Sequence, residues 1–548
     1  MGFRTGIRLQ LVCCFALLLS AFLAVACQPR GGQVTVVADG ERRAVSVRQA
    51  TVGQVLGQAG VTLGKLDRVS PDTWELVRPG DTVVVVRGRE EFVEVEEDLP
   101  FAREIVRNEA LPAGEQRLAQ KGESGRVRVT YRLFYADGVE EERAEVRRTV
   151  LKEPVDEVVV VGAQGGFAGV PIAGAVAYLS NGNAWIMRET STSRRPLTSW
   201  GDLDGRVLDL SPDGHYLIFT RGGGSDPAAP LNSLWIVTTT VLGEVPVPLG
   251  LEGLLYAEWA PDGERLAYST AERSGSRPGW RALNDLRLAS FRTQEGEVQI
   301  RPAETVAQVR DGRTVTETRP SGLKLTELLP PSSEGAFSWW GAKYAWSPNG
   351  KYIAYARPDQ IGVVDVALKV PVRLIEFPEY NTYSDWIWTS SLSWSPDGRF
   401  IVCTAHKPAG SGVAPEDSPV FDVEVIALDR DVHAGLVRNA GMWAGARWSP
   451  VLSGGEGAIA YGLAANPHQS DRSRYDLYLM DRDGSNPRRL YPPAGQMGLL
   501  APPQVAWSPD GTQMLLIHGG NLFLLEVHSG LVRQLTGDGG ASLPRWRG

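Results

Sequence analysis

Aromatic side chains dominate the residues that could recognise a ligand. Trp200, the pair Trp339-Trp340, the group Tyr380, Tyr383, Trp386 and Trp388, and Trp443 fall in connecting segments between strand-like runs. Rings of this kind stack on sugars and peptides and anchor interfaces. Asp202 and Asp385 stand in the same segments and offer hydrogen-bonding carboxylates. A plainer reading competes: the rings fill the core and the aspartates cap turns. Catalytic chemistry has less support. The six histidines, His215, His406, His433, His468, His518 and His528, show no ligand spacing. No Gly-x-Ser-x-Gly elbow adjoins a suitable strand and helix, and neither His-Glu-x-x-His nor a P-loop occurs. No catalytic residue, metal or cofactor is expected.

The elements that must position these residues read as β structure. The 548 residues include 61 Gly and 16 Trp but only 6 His and 4 Cys, which suits many tight turns and argues against a zinc protein or a disulfide scaffold. The net charge of −8 makes a broad nucleic-acid-binding face unexpected.

The N-terminus reads as an address. Arg4 and Arg8 precede an apolar run from Leu9 to Ala26. Removal of residues 1–26 takes away those two arginines and no acid, so −8 becomes −10. Leu23-Ala24-Val25-Ala26-Cys27 resembles the bacterial lipobox, with Ala24 where Leu is commoner. The resemblance implies a signal peptide over 1–26, a lipid on Cys27 and a short linker over 27–32. An uncleaved anchor and a plain secretory signal are the alternatives. Export to the periplasm or cell exterior is expected, with the chain tethered to the membrane. Cys13 and Cys14 would leave with the leader, so Cys403 stays single and no internal disulfide forms.

Two small modules follow. Val34–Val37 and Ala44–Val47 flank Asp39-Gly40, a hairpin signal. Thr51 caps a short helix through Val52, Val55, Leu56 and Ala59, which Gly60 stops. Pro79-Gly80-Asp81 turns into the strand Thr82–Val86. This order resembles the ubiquitin-like repeat that precedes the G-five domain in resuscitation-promoting-factor-type cell-wall proteins, giving a β-grasp module over 33–90. Residues 91–165 resemble the G-five domain itself through Gly114, Gly122, Gly125, Gly138 and Gly162 and the runs around them. The long strand Val127–Tyr135 alternates, Asp137-Gly138 turns it, and Glu142–Val150 returns. The resemblance implies envelope location, with N-acetylglucosamine binding or zinc-assisted self-association. Neither role transfers by residue: the segment has no His, and Glu94, Glu96, Glu97 and Asp98 read first as a solvated strand edge.

Residues 171–548 repeat at about 50 residues. Leu210-Ser211-Pro212-Asp213-Gly214, Trp259-Ala260-Pro261-Asp262-Gly263, Trp346-Ser347-Pro348-Asn349-Gly350, Trp394-Ser395-Pro396-Asp397-Gly398, Trp448-Ser449-Pro450 and Trp507-Ser508-Pro509-Asp510-Gly511 each precede an apolar strand. Pro presets the turn, Asp bonds its own backbone and Gly takes the last position. Four strands per unit predict a β-propeller. The motif resembles the Pro-Asp repeat of TolB-like periplasmic proteins. Six units start within the chain; Ser542–Trp546 reads as the first strand of a seventh, completed by Ala175–Leu179, Ala184–Arg188 and Arg195–Thr198. Seven blades are favoured, with six as the alternative. The 87-residue interval from Trp259 to Trp346 marks an insertion.

The fold class is thus mainly β: two small N-terminal β-rich modules and a propeller closed by a composite blade. Trp200, Trp339, Trp340, Tyr383, Asp385, Trp386, Trp388 and Trp443 would share one face of that propeller and form the candidate ligand surface. The leading functional expectation is a non-enzymatic, membrane-anchored envelope protein that binds cell-wall glycan or a protein partner. A propeller glycan hydrolase or lyase is the first alternative, and an envelope assembly or sensory scaffold the second. Oligomeric state and ligand identity are not legible.

Overall fold

The computed structural model describes residues 32–108, 115–152, 154–162, 167–226, 228–294, 297–310, 313–410, 412–429, 433–450, 457–493 and 495–548. The expected leader, the lipid site Cys27 and Gly114 lie outside them. The chain divides into two compact units. One holds the described residues up to Leu99 together with 124–152; the other holds 100–123 and 154–548. Among the described residues no helix is long and apolar enough to cross a membrane.

In the first unit, Gly32–Ala38 and Glu41–Val47 pair antiparallel around Asp39-Gly40. Both turn residues have positive φ, 56° and 76°, the geometry an Asp-Gly hairpin turn demands. Thr82–Val86 runs parallel to the first strand and Arg68–Ser70 closes the far side. The helix Val52–Gln58 buries Val52, Val55 and Leu56 against the module's core, and Thr51 and Gln54 form a reciprocal capping box at its start. The strand Gly88–Leu99 then pairs with Gly125–Ala136, which also pairs with Val139–Lys152. Of the face expected to alternate, Val127, Val129 and Leu133 are buried and Tyr131 half-buried, while Phe134, out of phase, is also buried. Phe134 lies on the opposite face, where the guanidinium of Arg68 covers its ring at 4.7 Å. The acidic strand lies at the sheet edge, as expected, and is also paired: Arg128 reaches Glu96 at 2.9 Å.

In the second unit, three short strands, Arg103–Asn108, Gln116–Gln120 and Glu157–Gly162, form a sheet with the last in the centre. The segment read as G-five thus gives one three-stranded sheet to each unit. Six further sheets follow in sequence, named here blades 1 to 6, spanning 203–252, 254–329, 343–376, 392–437, 447–491 and 505–534. Each is an antiparallel meander of four main strands. Blade 7 is composite: Ala541–Arg547 pairs with Pro171–Ser180, which pairs with Asn183–Pro196. The fourth strand expected at 195–198 is not a separate element. The chain turns back near Glu189, and Leu197 donates to the Ala184 carbonyl at 2.8 Å. The expected insertion lies in blade 2, where Glu297–Gln299 and the hairpin Glu304–Arg310/Arg313–Arg319 precede the outer strand Leu323–Leu329.

All seven innermost strands line one central cavity of about 990 Å³. That shared wall makes the sheets a closed ring of seven. The repeat tryptophans pack between sheets: Trp259 shares a core with Val207, Ile218 and Ile236 of blade 1. The turns carry a bond that the sequence pattern hides. Ser211, Ser347, Ser395 and Ser508 each donate to the Asp or Asn two residues on and accept from the backbone N–H five residues on. The buried serine hydroxyl therefore locks the turn from inside.

Candidate functional site

Strand direction alternates within a blade. Connections into innermost strands therefore share one propeller face with the loops between second and third strands, and the Pro-Asp-Gly turns occupy the other. The first face carries the candidate residues, but it does not treat them alike.

Trp388 is buried, 1 % exposed. Its indole N–H donates to the Met442 carbonyl at 2.9 Å, and its ring meets Phe377 and Phe421. It is a core residue and leaves the candidate surface. Two residues earlier, Trp386 stays half-buried and faces Trp443 of the next connection, with centroids 5.8 Å apart and planes at 32°. Tyr383 is 79 % exposed. Its φ is 52°, a left-handed conformation that costs a bulky residue energy. Its hydroxyl donates to Asp417. Below it, His406 clamps the loops: one ring nitrogen lies 2.8 Å from the Pro378 carbonyl oxygen and the other 2.7 Å from that of Ser418. The exposed Tyr383 is thus tied through Asp417 to the segment whose Ser418 carbonyl meets His406.

The other candidates form separate groups. Trp200, 40 % exposed, packs edge-on to Trp235 under the guanidinium of Arg221, which also binds Asp202. Trp339 and Trp340 are half-buried and joined by Trp280, whose indole N–H donates to the Trp340 carbonyl at 3.1 Å. Trp280 was not legible in the sequence because it lies between second and third strands, away from the connections into innermost strands that hold the other aromatics. Asp385 pairs with Arg277 of blade 2 at 2.9 Å. Among the described residues no group of three or more His, Cys, Asp or Glu side chains converges as a metal site. Cys403 is a buried thiol, raised by burial far above its ordinary range.

The short sheet of 103–162 meets this same face. Asp156 accepts from Ala102 N–H at 2.9 Å and pairs with Arg474 of blade 5 at 3.1 Å, while Arg103 bridges to Gln496 in the connection into blade 6.

Residues 90–164 match the family model described as the G5 domain, and residues 34–73 match that of the G5-linked ubiquitin-like domain. The chain joins a G5-linked ubiquitin-like module and a G5 domain to a seven-bladed β-propeller. The expected domain combination and mainly-β class are therefore met. No curated protein matches the sequence. Similar solved structures include the tricorn protease, at 10% identity and TM-score 0.41 over 79% of this chain and 40% of that one. TolB from Acinetobacter baumannii is similar at 13% identity and TM-score 0.35 over 84% and 99% of the two chains. The G5 structure HP0197-G5 shows 29% identity and TM-score 0.13 over 14% and 99%. The chain spans less than half the tricorn protease's length.

None of the candidate aromatics lines the central cavity. The cavity wall is a second place for chemistry, and sequence reading did not single it out.

Proposed function

We propose that this chain is a membrane-tethered, non-enzymatic cell-envelope protein that binds cell-wall glycan or an envelope protein partner. Lipid on Cys27 would hold it at the membrane and the G5 domain would engage N-acetylglucosamine-containing polymer. The propeller face that meets the G5 sheet would extend the contact. The observation that carries the reading is the Trp386–Trp443 pair beside the strained, exposed Tyr383. Paired rings with one accessible edge suit a sugar ring or an apolar side chain.

The test compares wild type with a Trp386→Ala/Trp443→Ala double variant in co-sedimentation with purified peptidoglycan and in cross-linking on intact cells. Wild type should be retained in at least one assay and the double variant at least fivefold less. Equal retention removes the aromatic face from the reading, and no retention of wild type removes the reading itself. Palmitate labelling that survives Cys27→Ser would contradict the lipid anchor.

A further inference from the structure

The residue before each repeat tryptophan, or before Leu210 in blade 1, lines the propeller axis. From blade 1 to blade 7 these are Asp209, Glu258, Ala345, Ser393, Arg447, Ala506 and Arg545, all on the cavity wall. Three of them join neighbouring blades. Asp209 accepts from Trp259 N–H at 3.1 Å, Glu258 from Trp346 N–H at 3.3 Å, and Ser393 from Trp448 N–H at 3.0 Å. Arginine has no acceptor, so blades 5 and 7 forgo this bond and place a guanidinium in the channel instead.

The channel is therefore unbalanced. Arg206, Lys343, Arg447, Arg545 and Arg547 line it against two side-chain carboxylates, Asp209 and Glu258. Asp209 is shared by Arg545 at 3.9 Å and Arg547 at 3.7 Å. Glu258 already accepts from the Tyr256 hydroxyl at 2.7 Å, and burial with the nearby Asp209 raises its pKa to about 7. Arg206 sits over the Trp280 ring and near Asp204. Among the described residues Lys343 donates only to the Thr389 carbonyl, at 2.7 Å. Arg447 has no hydrogen-bond or ion-pair partner among the described residues. Its side chain is open to the channel yet walled in by protein, and this burial, with Arg545 nearby, lowers its pKa to about 10. Gathering like charges in a confined space opposes folding, and Asp204, Asp209 and Glu258 offset it only in part.

We infer that the channel is a binding site for a small polyanion bearing two or more carboxylate or phosphate groups, held by Arg447, Lys343 and Arg545. Guanidinium forks match both oxyanions bidentately. The cavity volume of 990 Å³ lies at the upper end of the ~300–1,000 Å³ typical of small-molecule sites. The occupant is thus the size of a metabolite rather than a polymer. This site goes beyond the aromatic face and does not depend on it.

The test is calorimetric titration of the full chain with citrate, pyrophosphate and neutral trehalose at one ionic strength, with Tm measured in parallel. Citrate, pyrophosphate or both should bind saturably and raise Tm; trehalose should not. The anion that binds separates a carboxylate from a phosphate ligand. Arg447→Gln and Lys343→Met should each weaken binding at least tenfold without lowering the Tm of the unliganded protein. Arg472→Gln, at an exposed arginine outside the channel, should bind as wild type. Binding of neither anion overturns the inference, as does equal binding by wild type and both channel variants. If Arg447→Gln folds poorly, Lys343→Met decides alone.

Discussion

The backbone N–H of Trp259 donates to the carboxylate of Asp209, 50 residues earlier and one blade back. Both residues are buried. Asp209→Ala leaves that N–H without its acceptor and should cost about 1–3 kcal/mol. Asp209→Asn keeps an acceptor oxygen and should lose less. Urea unfolding followed by tryptophan fluorescence reads the difference, and equal losses would show that the bond contributes little.

Glu258 should make the ring's stability depend on pH. Its pKa is raised from 4.5 to about 7, first by burial and then by Asp209. Between those values only the folded state holds the proton, so stability falls as pH rises from about 4.5 to about 7 and stays lowered above it. Glu258→Gln cannot release a proton. It should flatten this slope, raising Tm relative to wild type more at pH 8 than at pH 4.5, in scans of both proteins across that range.

The repeat tryptophans should differ in their tolerance of phenylalanine. The indole N–H of Trp394 donates to the Ala345 carbonyl at 3.0 Å, whereas that of Trp448 is buried with no partner among the described residues. Replacing Trp448 removes an unsatisfied donor; replacing Trp394 strands a carbonyl. Trp394→Phe should therefore cost about 1 kcal/mol more than Trp448→Phe. Paired chemical-denaturation curves measure the gap, and a reversed order would contradict the assignment.

Trp386 and Trp388 should separate by phenotype. Trp388→Ala empties a filled core site and should cost about 3–5 kcal/mol. Trp386→Ala should cost on the order of 1 kcal/mol and leave the fold intact. Thermal unfolding of the two variants side by side is the measurement; equal losses would make Trp386 a core residue as well.

The architecture was readable because its signals are local. Pro-Asp-Gly needs only neighbouring residues to form a turn, so the repeat starts, the blade 2 insertion and the split of blade 7 all showed in the chain. The candidate face was readable only in part. Trp386 and Trp388 stand two residues apart in a loop without a period, and nothing in their spacing says which one turns inward. The channel charge was hidden for a different reason. The position before Leu210 and the six repeat tryptophans holds Asp, Glu, Ala, Ser, Arg, Ala and Arg in turn, so no pattern recurs along the chain. It becomes a feature only when the ring brings those seven residues around one axis. Trp280 shows the same limit, since its partner Trp340 lies 60 residues away.

The strand Ala541–Arg547 lies innermost in blade 7, and Trp546 donates to the Ala173 carbonyl across 373 residues of sequence. This sets an order of assembly. As the chain is made from its N-terminus, six blades are complete before the strand that seals the circle exists. Until then the first and sixth blades each present an unmatched flank, and the hairpin 171–196 waits without its inner neighbour. Joining the ends of so long a loop carries an entropic cost that grows only slowly with length, but it falls on the final step. The nascent protein is therefore most exposed to misassembly and proteases just before the strand Ala541–Arg547 emerges, and a chaperone that shields these flanks would act in that interval.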